Sequence, residues 1–142
     1  MDRKKVFILD DDPERLAHLV QFAHNLIPGA PHVVIAMDAV SAKEILPTQE
    51  WDLLLLDHDL GLYDLNGYGQ HRPGNNGTEV SKFIQKNGVK FKLCILHSVN
   101  DWGAERMYNN LKGLGGMVKL KPFDTIVGPP IPRYRFDLTT ML

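Results

Sequence analysis

The sequence predicts an α/β fold, a doubly wound five-stranded parallel sheet with helices on both faces. Five short apolar runs alternate with segments whose apolar residues recur at helical spacing. The runs are continuously apolar rather than alternating, the pattern of strands covered on both sides. Four of them end abruptly in charged or hydroxyl-bearing residues.

The first run, "KVFIL", ends in Asp10, Asp11 and Asp12; Asp12 is placed to cap the next helix and Pro13 suits its first turn. Leu16, Leu19, Val20, Ala23 and Leu26 then follow helical spacing until "PGAP" stops them. "HVVIAM" is the second strand, and Asp38 caps a short helix through Ile45 and Leu46 that Pro47 halts. "DLLLLD" is the third strand, "GTEVSKFIQKNG" a helix closed by Gly88, and "KLCILHS" the fourth strand. The helix "WGAERMYNNLKG", in which Trp102 and Tyr108 are expected to pack, and the strand "MVKLK" complete five repeats.

Two stretches break this regularity. "LYDLNGYGQHRPGNN", between Gly61 and Gly77, is too rich in Gly, Asn and Pro for regular structure and long enough to be a functional loop, with His71 read as solvent-facing unless the loop closes as a lid. Pro129, Pro130 and Pro132 exclude a helix across their part of the tail. The expectation is one domain over residues 1–142, with a core of about 5–123 and an irregular tail over 124–142.

Charge narrows the function. Sixteen basic and seventeen acidic residues leave a net charge of −1, so no global field draws the chain to nucleic acid or an anionic membrane. A polyanion needs a local site, and Lys86, Lys90 and Lys92 read as a solvated edge. The lone Cys94 cannot form an internal disulfide and reads as a buried filler. No apolar stretch approaches the roughly 20 residues that span a bilayer. A cytoplasmic protein without a membrane partner is expected.

Open parallel sheets bind ligands beyond the carboxyl ends of their strands. Those ends carry Asp10 and Asp11, then Asp57, His58 and Asp59, then His97 and Ser98, then Lys121. Converging carboxylates repel unless a cation sits among them, and oxygen ligands favour Mg²⁺, or Mn²⁺ in its place. Asp10, Asp11 and Asp57 are the candidate metal ligands; Asp59 is either a further ligand or a cap for the turn. His58 and His97 are either proton carriers or structural residues, since imidazole titrates near neutral pH. Alternation sends His97 and Ser98 to opposite faces unless the strand is already ending.

In order along the chain, "VFILDDDPERL", "LLLLD", "LHS" and "LKPF" resemble the response-regulator receiver domain over about residues 5–123. The resemblance implies a flavodoxin-like strand order of 2-1-3-4-5. It also implies Mg²⁺ on Asp10 and Asp11, Asp57 as ligand and nucleophile, Ser98 against the phosphoryl group, and Lys121 neutralising its charge. "LDHDLG" and "LHSVNDWGAERM" are similar to a branch of that family, the cyclic-phosphate-processing receiver domains, in which the added histidines are characteristic. The long stretch after the third strand and the proline-rich tail depart from ordinary receivers.

Three functions follow as expectations. The first is a Mg²⁺-dependent, phosphoesterase-like protein that processes cyclic phosphate on a small molecule or an RNA end, with Asp57, His58, His97, Ser98 and Lys121 as its reactive residues. The second is a stand-alone receiver phosphorylated on Asp57 by a histidine kinase. The third is a module that binds a phosphorylated ligand without turning it over.

Overall fold

The computed structural model describes residues 3–61 and 74–127. The long loop after the third strand, with His71, lies mostly outside the described residues, as does the tail beyond residue 127. Strands β1 (Lys5–Leu9), β2 (His32–Ala36), β3 (Trp51–Leu56), β4 (Phe91–Leu96) and β5 (Met117–Leu120) form one parallel sheet in the order β2-β1-β3-β4-β5. Helices α1 (Pro13–Leu26), α2 (Ala39–Ile45), α3 (Gly77–Asn87), α4 (Asp101–Leu111) and α5 (Phe123–Val127) connect or follow the strands, and a 3₁₀ turn over Leu46–Thr48 extends α2.

The helix starts are fixed by side chains that accept from otherwise orphaned backbone N–H groups. Asp12 accepts from the N–H groups of Glu14 and Arg15, Asp38 from that of Ser41, Asn76 from that of Glu79, and Asn100 from that of Gly103. Gly88 closes α3 at φ 64°, a left-handed conformation that costs a glycine little.

Strand alternation divides the core in two. Leu9, Leu54, Leu56, Cys94 and Leu96 pack with Ala42 of α2, Ile84 of α3 and Met107 of α4. Ile8, Leu53, Leu55 and Ile95 face the other way, against Leu19 and Phe22 of α1 and Ile126 of α5. Helices α2, α3 and α4 thus cover one face, and α1 and α5 the other.

Three expectations change. Coverage on both faces holds for β1, β3 and β4, but β2 and β5 are edge strands: Met117 is 58% exposed and Leu120 52%. The prolines of the tail do not prevent α5, because it ends before them and buries Ile126 under α1. Trp102 does not pack its helix; it is 62% exposed, with the Arg106 guanidinium 3.8 Å above its ring, while Tyr108 does pack on the core. No helix among the described residues is long and apolar enough to cross a membrane.

Candidate functional site

Backbone pairing continues one residue past the strands. The N–H of Asp57 donates to the Leu9 carbonyl at 3.0 Å, that of His97 to Leu56 at 3.0 Å, and that of Lys121 to Leu96 at 2.9 Å. Because Leu9, Leu56, Leu96 and Leu120 are in register, Asp10, Asp57, His97 and Lys121 form one row along the carboxyl edge of the sheet. Leu9, Leu56 and Leu96 point to the α2–α3–α4 side, so the next row turns to the α1 side and the residues after it turn back.

This parity brings Asp10, Asp57 and His97 together. All three are buried, and each offers a ligand atom within 4.8 Å of the others. The His97 Nε2–H donates to Asp10 Oδ2 at 3.0 Å, whereas the buried His97 Nδ1 has no hydrogen-bond partner among the described residues. His97 and Ser98, just beyond the end of β4 at Leu96, are both buried. Ser98 Oγ accepts from the Asn100 N–H at 3.0 Å, tying the end of β4 to the start of α4.

The sequence reading missed Arg15. Its guanidinium donates to Asp10 through Nε (3.0 and 3.2 Å) and Nη2 (2.9 Å), and to Asp12 through Nη1 at 3.3 Å. Nη2 also lies 3.4 Å from both Asp11 Oδ1 and Asp57 Oδ2. As a charged residue in the first turn of a helix it resembled ordinary surface. The available signal was geometric: α1 covers the face to which the carboxylate row turns. Lys121 is half-buried, and no hydrogen bond or ion pair joins its ammonium to a described residue.

Two neighbouring carboxylates respond oppositely to this environment. Burial pushes the Asp57 carboxyl up to about 6, helped by the Asp10 charge and opposed by His97 and Arg15. Burial acts on Asp10 in the same direction, but hydrogen bonds from His97, Arg15 and the Asp12 N–H outweigh it and hold Asp10 below the usual range.

His58 follows the other parity. Its Nδ1–H donates to Asp59 at 2.7 Å and its Nε2 accepts from the Thr78 hydroxyl at 2.9 Å. Its ring packs where a Cβ on Gly103 would otherwise stand, 2.6 Å from Nδ1. His58 is therefore pinned between α3 and α4 with both ring nitrogens engaged. Asp59 accepts from His58 and from Asn100 Nδ2 at 3.0 Å, while its side chain stays 66% exposed. Burial raises the Asp59 carboxyl, but these two bonds outweigh it and leave it below its ordinary value.

A cleft of about 180 Å³ opens over the row, lined by Arg15, Asp57, Asp59, His97, Ser98 and Phe123. Two roomier hollows, about 330 Å³ at the amino edge and about 460 Å³ between α4 and β5, do not contain this convergence of carboxylates. Among the described residues, three buried carboxylates gather on one guanidinium, a concentration of negative charge that fits a divalent cation. The oxygen-rich donor set suits Mg²⁺, and an added imidazole nitrogen suits Mn²⁺ at least as well.

A parallel sheet in this order with an acidic cleft at its carboxyl edge defines a protein of the receiver kind. More narrowly, the chain belongs to the cyclic-phosphate processing receiver domain family, which it matches over residues 5–113. Its fold is similar to the signal receiver domain of a LuxO repressor protein from Vibrio parahaemolyticus, at 19% identity and TM-score 0.56, covering 94% of this chain and 84% of that one. The response regulator domain of Thermotoga maritima CheB gives 19% identity and TM-score 0.58, covering 84% and 78%. The response regulator TrrA from Thermotoga maritima, solved in complex with Mg²⁺–BeF, gives 19% and 0.56, covering 83% and 85%. No curated protein matches the chain.

Proposed function

We propose that the chain hydrolyses a cyclic phosphodiester, on a nucleotide or an RNA end, in the cleft between α1 and the carboxyl ends of β1, β3 and β4. The observation that carries this reading is His97, a buried imidazole oriented by a carboxylate through Nε2, its Nδ1 unpartnered among the described residues. That is the base–orienter arrangement of a proton carrier. Membership of a family described as cyclic-phosphate processing supports it.

The reaction assigns roles to this chain's own residues. Asp10, Asp11 and Asp57 would hold a Mg²⁺ or Mn²⁺ ion, which when bound offsets charge on the phosphoryl oxygens. His97 Nδ1 takes a proton from water as the water oxygen bonds to phosphorus. The P–O bond to one sugar oxygen breaks, and that oxygen takes a proton from solvent at the open side of the cleft, leaving a phosphomonoester. Ser98, on the cleft wall, orients the phosphoryl group. His58 positions the start of α4 through Thr78, Asp59 and Gly103 rather than moving protons.

Incubation with 2′,3′-cyclic nucleotides and cyclic-ended RNA, with Mn²⁺ or Mg²⁺ against EDTA, tests the reading through phosphomonoester release. His97→Ala is expected to cost on the order of 10²–10⁴ in rate, the usual range for a general acid or base. Absence of turnover across that panel would count against it.

A second reading has its own observation: Asp57 stands at the end of β3, buried and on the cleft wall, with Asp10 and Asp11 beside it. TrrA, similar in fold, is described in complex with Mg²⁺–BeF. On this reading Asp57 accepts phosphate from a histidine kinase. Acetyl phosphate with Mg²⁺ should then label the protein but not Asp57→Asn.

A further inference from the structure

The lone-pair inventory of Asp10 raises a question about any cation in the cleft. A carboxylate offers about four lone-pair directions, and Asp10 accepts from four N–H groups: the Asp12 N–H at 2.9 Å, His97 Nε2 at 3.0 Å, Arg15 Nη2 at 2.9 Å, and Arg15 Nε, shared between both oxygens at 3.0 and 3.2 Å. No direction is left for a metal ion while Arg15 stays in place. The guanidinium also lies within 3.4 Å of Asp11 and Asp57, so it stands at the centre of the carboxylates the ion would use. The Arg15 side chain is 31% exposed and lines the cleft, so it can leave toward solvent without breaking the core.

We infer that Arg15 is a displaceable placeholder. It fills the cation's place in the metal-free protein, and it becomes a ligand for the substrate's phosphoryl oxygens once a divalent ion has taken its carboxylates. The first half rests on geometry alone; the second rests on the phosphate reading proposed above. The chemistry suits both states, because a guanidinium forks equally well onto carboxylate and phosphate. It also accounts for a metal site that is not wrecked by repulsion when empty: removal of the ion returns a positive charge to the carboxylates from the same helix turn. The exchange makes phosphate binding depend on metal, since Arg15 is released for an anion only when the ion displaces it. By linkage, phosphate then tightens metal binding by the same factor.

Calorimetry on the full chain tests this with Mn²⁺ and inorganic phosphate as probes, so no cyclic-phosphate turnover is needed. Arg15→Gln is expected to bind Mn²⁺ about tenfold more tightly than wild type, within the usual range of such couplings. In saturating Mn²⁺ it should bind phosphate about tenfold more weakly, the loss expected for a charged hydrogen-bond donor. Arg15→Lys keeps the charge but loses the fork, and serves if the glutamine variant fails to fold in EDTA; its Mn²⁺ affinity should fall between the other two. Mn²⁺ affinity unchanged or lowered in the variant that folds overturns the placeholder. Tighter Mn²⁺ with unchanged phosphate affinity overturns the second half alone. Phosphate bound without Mn²⁺ as tightly as with it also overturns the exchange.

Discussion

Asp57 shows what the environment of one side chain does to the whole protein. Its carboxyl sits at about 6 in the folded chain, against an ordinary 3.8, so the folded state takes up its proton more readily than the unfolded state does. The sign follows from linkage. Below about pH 4 the group is protonated in both states and contributes no penalty. As pH rises through 4 to 6 the unfolded chain ionises first, and above about 6 the folded chain carries a buried charge at a cost on the order of 2–3 kcal/mol. Asp57→Asn in EDTA should therefore melt higher than wild type at pH 7.5, and the difference should shrink to nothing by about pH 4. Asp10 works the other way, because its depressed pKa favours folding above the unfolded value, so only the comparison with Asp57→Asn isolates Asp57. Equal melting of the two proteins at pH 7.5 would show that Arg15 and His97 already compensate the charge. His97→Ala carries the complementary kinetic prediction of a 10²–10⁴-fold loss, and a normal rate in that variant would remove the imidazole from the chemistry.

At the scale of elements, two glycines let helices close on the site. A Cβ on Gly103 would stand 2.6 and 2.7 Å from Nδ1 and Cδ2 of His58, so α4 seats on the imidazole only because its first turn has a glycine there. Gly103→Ala should cost about 1–3 kcal/mol by overpacking, read from urea unfolding. The same substitution in a His58→Ala background should cost clearly less, because the ring it collides with is gone. Equal costs in both backgrounds would place the strain elsewhere. Gly77 is tighter still, with backbone of Asp57 and His58 in the way, the latter's Cα at 2.8 Å. The strands, the helix caps Asp12 and Asp38, and the row of polar strand ends were legible in the sequence because each is a local pattern. The sorting of that row was not fully legible. Parity past the strand ends sets Asp57 and His97 in one row and separates the Asp57 carboxylate from the His58 imidazole, which the bare spacing of Asp57 and His58 does not show. Arg15 was invisible for a related reason: its partners Asp10 and Asp57 come from two strands, and only the packing of α1 on that face unites them.

Over the whole molecule, a near-neutral chain carries its charge unevenly along the sheet. The carboxyl edge gathers Asp10, Asp11, Asp12 and Asp57 around Arg15, whereas the amino edge gathers Lys4, Lys5, Lys90 and Lys92 with Asp52 among them. The acidic end is thus under repulsion that Arg15 relieves only in part, and a divalent ion that binds the folded chain alone should stabilise it by mass action. At free Mn²⁺ near 100 times its dissociation constant the gain is about 2.7 kcal/mol, which for a chain of this size raises the melting temperature by roughly 5–10 °C. On the proposed metal reading the gain should be much smaller in Asp10→Asn, because that substitution removes one of the carboxylate charges proposed to hold the ion. It should persist in His58→Ala, whose ring lies on the other parity against α3 and α4. Scanning calorimetry of the three proteins, in EDTA and across a Mn²⁺ series, gives the comparison. A melting temperature of wild type that stays flat into the millimolar range would mean that no divalent ion replaces the guanidinium, and both the metal reading and the placeholder would then fall together.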